Sequence, residues 1–120
     1  MYLARLLTKV VRGSGPHAAR ACVALTLCHA FGSGSAVCAA LGAGAAVVLP
    51  AVGGIRGCGV PSQRAQGTRE VVAAERCTLL FADSHTLGAL PPGDGGDGGG
   101  APPLSLRGGV VKIGSGSDFL

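Results

Sequence analysis

Hydrophobic and polar positions divide this 120-residue chain into stretches of different period. The clearest is at residues 1–12. Tyr2, Leu3, Leu6, Leu7, Val10 and Val11 recur at i, i+3 and i+4, so a 3.6-residue helix gathers them on one face. Arg5, Lys9 and Arg12 fall on the other side, and Gly13-Ser14-Gly15-Pro16 ends the run. The pattern predicts a short basic amphipathic helix over 1–12. A helix of about three turns is marginal alone in water, so a lipid surface or an apolar groove would have to supply the missing burial.

Residues 21–55 contain no Lys, Arg, Asp or Glu. Gly32-Ser33-Gly34-Ser35 interrupts them, which leaves a linker and a short apolar stretch over 13–35 and a longer apolar stretch over 36–54. The first is too short to cross a bilayer. The second has 19 residues, near the span requirement of ~20, and its hydropathy makes it a candidate transmembrane helix. Ala36, Ala40 and Gly44 lie four apart, a spacing that lets two membrane helices approach closely. Against the span stand the glycines at 42, 44, 53 and 54, and Pro50, which removes a helix hydrogen bond.

Polar residues and glycines predict a linker over 55–69. Residues 70–82 read as a helix with Thr68 as a cap and Glu70 in the first turn; a strand over Cys77–Ala82 competes with it. Residues 83–120 read as a low-complexity disordered tail, with the run Gly93–Gly100 unable to bury area and Val110-Val111-Lys112-Ile113 too short to found a core. The fold expected is mostly irregular or disordered, with a few α-helices: the N-terminal amphipathic helix, one transmembrane helix and no sizeable globular core.

Composition sharpens that expectation. Gly supplies 22 residues and Pro 7, and only one Tyr and three Phe are present, so few large anchors exist. Much of the 48 % apolar content is Ala, which gains little on leaving water. The favoured residues have GC-rich codons, so an unselected GC-rich reading frame with no specific function is a further reading. Charge is uneven: residues 1–69 carry seven basic groups and no acid, whereas 70–120 carry three basic and six acidic groups, for a net +4. An acid-free, Arg-bearing half predicts a membrane-facing or mitochondrial targeting segment, with Arg5, Lys9 and Arg12 as its face. The basic residues are dispersed with no interleaved aromatics, which argues against nucleic acid.

Candidate chemistry adds little. As a secretory signal, residues 1–39 would need an unusually long charged region; cleavage after Ala39 would leave Cys58 and Cys77 as an even pair, and a disulfide between them would stabilise by roughly 3 kcal/mol. The cysteines show no Cys-x-x-Cys pairing, and Cys28-His29 lack close co-ligands, so no metal is expected. Cys77 with His85, or Ser84 beside His85, has no third orienting group, so no catalytic residue is assigned. Gly13-Ser14-Gly15 and Gly42-Ala43-Gly44 do not continue into a dinucleotide fingerprint, and no cofactor is expected. Asp94 and Asp97 stand in a single glycine run, which serves as a linker rather than a calcium coil. Asp118-Phe119-Leu120 loosely fits a tail that adds a strand to a PDZ-type groove. The reading is a small, non-enzymatic, membrane-associated protein with membrane lipid as its partner and no small-molecule substrate. The alternative is a soluble, largely disordered interaction protein.

Overall fold

Ala21-Cys22-Val23 is a short, uncharged run with no helical period, and every one of the three side chains is buried. Such a run suits a strand covered on both faces, the situation of a parallel sheet. The computed structural model, which describes residues 19–50, 60–90 and 105–112, places it in strand β1, Arg20–Ala24. A helical segment α1 follows, with Phe31–Cys38 wound in the wider π-helical pattern and Ala39–Gly42 α-helical. Then come β2 (Ala46–Val48), α2 (Pro61–Ala74), β3 (Leu79–Asp83), α3 (Ser84–Ala89) and β4 (Gly108–Lys112).

The four strands form one sheet in the order β2-β1-β3-β4, and every neighbouring pair is parallel. Alternate residues point to opposite faces. On one face Ala21, Val23, Leu79 and Phe81 meet Ala36, Ala39 and Ala40 of α1. On the other, Cys22, Leu80 and Ala82 meet Val72 of α2. The chain runs from β1 to β2 across one face and returns past β1 to β3 across the other. The two crossovers therefore share one hand, as doubly wound sheets require.

These findings correct the expectation of a mostly disordered chain without a sizeable core. Phe81, Leu79, Val23 and Val72 are all essentially inaccessible. Alanine, discounted for its small area, is what lets α1 approach the sheet: Ala36 and Ala40 are fully buried against it. Their spacing serves helix-on-sheet packing and not a second membrane helix.

The transmembrane helix over 36–54 is also overturned. No helix among the described residues is long and apolar enough to cross a membrane. The physical reason lies at Gly44, whose φ of +73° is the left-handed conformation that ends helices. Its N–H donates to the Leu41 carbonyl at 3.0 Å and that of Ala45 to the Ala40 carbonyl at 2.9 Å, the bond pair of a Schellman stop. Chain direction then changes, and Ala46–Val48 becomes β2.

The linker expected over 55–69 contains most of α2. Pro61 stands at its first turn, where the missing N–H costs nothing, and Ala65, Thr68 and Val72 line its buried side. Glu70–Ala74 completes that helix, while Leu79–Ala82 belongs to β3, so the strand alternative for the end of 70–82 is the one realised. Within 83–120, α3 and β4 are ordered elements. The basic face at Arg5, Lys9 and Arg12 lies outside the described residues, as do Cys58 and the glycine run 93–100.

Helix α2 ends by the same Schellman bonds, from Arg76 N–H to the Ala73 carbonyl (3.3 Å) and from Cys77 N–H to the Val72 carbonyl (3.0 Å). Here the left-handed position is held by Arg76 at φ +50°. An L side chain there costs roughly 1–2 kcal/mol, part of which glycine returns as unfolded-chain entropy. Arg76→Gly is therefore expected to raise stability by about 1 kcal/mol, read as a higher urea midpoint at unchanged slope. A lower midpoint would mean that Arg76 holds the turn through its side chain.

Candidate functional site

Three apolar runs end in a polar residue at the same edge of the sheet. Cys22–Leu25 leads to Thr26, Leu79–Ala82 to Asp83, and Val110-Val111 to Lys112. The strands are parallel, so all three polar residues emerge at their carboxyl ends, and the register pairs Asp83 directly with Lys112. The strand order reverses at β1: one crossover leaves it toward β2 and the next strand, β3, lies on its other side. Loops diverge at such a point and leave a crevice between the strand ends.

A crevice of about 250 Å³ lies there. Leu25, Thr26, Cys28, His29, Phe31 and Gly32 wall it from the turn between β1 and α1; Asp83 and Lys112 close it from β3 and β4. Gly32 is required by packing. A Cβ at this position would stand 2.2 Å from the Thr26 carbonyl oxygen, so only glycine lets the start of α1 lie against the end of β1.

The polar groups are held in place. Asp83 Oδ1 accepts from the Thr86 N–H at 2.7 Å and caps α3. Its other oxygen lies 3.5 Å from Arg64 Nη1 on α2. Its negative charge is thus offset by groups outside the crevice. His29 Nδ1 accepts from the Phe31 N–H at 3.1 Å, and the His29 carbonyl accepts from the N–H groups of Gly32 and Ser33. The turn is tied to its own ring, which leaves Nε2 facing Lys112 Nζ at 3.4 Å.

No known family, curated protein or solved structure matches this chain. What the site does rests on its own geometry.

The residues singled out from sequence fall elsewhere. Cys77 is buried just before β3, and its thiol is hydrogen-bonded to that of Cys22 on β1. Burial, and then its neighbour Cys77, push the Cys22 thiol up to about 12; burial likewise raises Cys77. His85 is exposed on α3, beyond the opposite end of β3 from Cys77, so the two are not brought together. Among the described residues no three His, Cys, Asp or Glu side chains are grouped to hold a metal. Nothing local in the sequence marks Thr26, His29, Asp83 and Lys112 as one site. The signal for them is the polar residue closing each short apolar run, and it becomes legible only once the runs are known to be parallel neighbours.

A second hollow, of about 240 Å³, lies on the α3 side of β3 and β4 between Leu80, Leu87, Leu106 and Val111. No polar side chain enters its wall, so it offers nothing to orient a ligand.

Proposed function

We propose that the chain is a nucleotide-binding module, with the ligand seated in the crevice at the carboxyl ends of β1, β3 and β4. One observation carries the reading: the crevice coincides with the point where the strand order reverses. Open parallel sheets bind their ligands at this place because diverging loops leave room there and strand ends present polar groups. The wall chemistry supports it. Leu25 and Phe31 supply apolar surface for a base, while Thr26, His29, Asp83 and Lys112 supply polar groups at separate points. Ligand pockets usually run from about 300 to 1,000 Å³, so a crevice of about 250 Å³ favours a mononucleotide over a dinucleotide.

This reading departs from the expected membrane-lipid partner, which rested on the span at 36–54 and on the basic helix over 1–12, and from the expected absence of a small-molecule substrate. Titration calorimetry of the full chain with AMP and adenosine tests it. The expected result is a saturable 1:1 isotherm for AMP. Thermal unfolding in AMP at a hundredfold excess over Kd should then show a stabilisation of about 3 kcal/mol. No heat and no thermal shift with either compound at millimolar concentration would overturn it.

A further inference from the structure

We propose that His29 and Lys112 form the subsite for a phosphate oxygen of the ligand. The inference rests on the nucleotide-binding reading and names the part of the ligand that these two side chains hold. Its starting point is the ring of His29. Nδ1 accepts the Phe31 N–H at 3.1 Å, and a ring nitrogen that accepts a hydrogen bond carries no proton. The ring proton therefore sits on Nε2. That nitrogen stands 3.4 Å from Lys112 Nζ, an ammonium group with three donors and no acceptor.

Two donors that face each other satisfy neither. Both stand at the exposed wall of the crevice, where water can serve each singly and one acceptor placed between them would serve both. Protein carboxylates do not fill the role: the ion pairs among the described residues join Arg20 to Glu75 and Arg64 to Asp83. Asp83, the carboxylate of the crevice, uses one oxygen on the Thr86 N–H and the other on Arg64. An oxygen about 2.8 Å from each nitrogen fits a separation of 3.4 Å and accepts from both. A phosphate oxygen suits the place better than water, because its charge strengthens both bonds and meets the ammonium. The two donors come from positions 83 apart in sequence and meet at the crevice wall.

Side-chain nitrogen NMR of the full chain, with His29 assigned by comparison with His29→Gln, tests the subsite. Inorganic phosphate and chloride are the probes, at matched ionic strength; AMP and adenosine follow. Before ligand, the His29 ring is expected to carry its proton on Nε2. Phosphate should shift Nε2 saturably and chloride should not. Lys112→Gln should weaken phosphate and AMP at least tenfold and leave adenosine unchanged, and Lys112→Arg should restore most of the phosphate effect. A proton found on Nδ1, equal responses to phosphate and chloride, or phosphate binding untouched by Lys112→Gln would overturn the subsite. If AMP and adenosine bind equally and Lys112→Gln affects neither, the subsite is wrong and the nucleotide reading stands. If phosphate shifts Nε2 but neither AMP nor adenosine binds, the subsite stands and the nucleotide reading falls.

Discussion

Phe81→Ala is expected to unfold the chain or to lower its melting temperature by at least about 12 °C. Phe81 is the largest fully buried side chain, at 0 % exposure in the middle of β3. Around it stand Ala21, Ala36, Ala39 and Ala40 with Val23 and Leu79. Removing a buried Phe side chain costs roughly 3–5 kcal/mol, made of lost transfer energy and of the cavity left behind. Alanine neighbours have no side-chain rotamers with which to fill that cavity, so the cost should sit at the upper end. Total stability of a domain is about 5–15 kcal/mol, and this core is small, so one residue can decide whether it folds. Phe31 provides the control. It is half-exposed at the crevice wall, and Phe31→Ala should cost about 1 kcal/mol or less by thermal melting followed by circular dichroism. Equal losses for the two variants would contradict the placement of Phe81.

The second large effect is alkaline destabilisation through Cys22. Its folded thiol is pushed up to about 12 by burial first and by Cys77 second, from an ordinary value of 9.0. Above pH 9 the unfolded chain gives up this proton while the folded chain keeps it. The unfolded state then binds fewer protons, so stability falls as pH rises. The stabilising contribution is complete below pH 9 and is lost progressively toward pH 12, on the order of 4 kcal/mol in all. Urea unfolding under reducing conditions at pH 8, 9.5 and 11 measures it. Other groups titrate in the same range, so the decisive quantity is the difference between the wild-type chain and Cys22→Ala. The variant is expected to be less stable at pH 8, because it leaves a small cavity, and to lose less on going to pH 11. Parallel losses in both chains would show that the Cys22 thiol meets solvent in the folded state. Thiol labelling gives the same reading by another route: Cys28 and Cys38 are exposed, whereas Cys22 and Cys77 are buried and should react only on unfolding.

Particular residues show why much of this fold resisted a reading of the sequence. Strands β1 and β3 are short apolar runs covered on both faces, so neither shows the alternation that marks a half-exposed strand. Helix α2 was hidden because its buried side is built from Ala65, Thr68 and Val72, which look like a linker when apolar bulk is the criterion. Helix α1 and β2 together resembled one uncharged span, and Gly44, read as a weak helix former inside it, is the stop between them. Strand β4 looked too isolated to matter. It gains its place by pairing with β3, and Gly109 lets it approach: a Cβ there would stand 2.1 Å from the Leu80 carbonyl oxygen. What was legible was local. The strand-forming character of Cys77–Ala82 and the scarcity of large anchors can be seen in the structure, whereas the break expected at Gly32–Ser35 lies inside α1. The candidate site was not legible, because His29, Asp83 and Lys112 meet only through a strand order that no local pattern encodes.

The most direct measurement of the central claim is the backbone amide NMR spectrum of the full chain during titration with AMP. The claim is that a doubly wound parallel sheet presents one ligand crevice at its carboxyl edge. It predicts dispersed resonances for β1 and β3, with saturable shifts concentrated at Leu25–Gly32, Asp83 and Lys112 and absent from Ala46–Val48. A collapsed spectrum, or shifts that are missing at those residues or scattered evenly over the sheet, would contradict it.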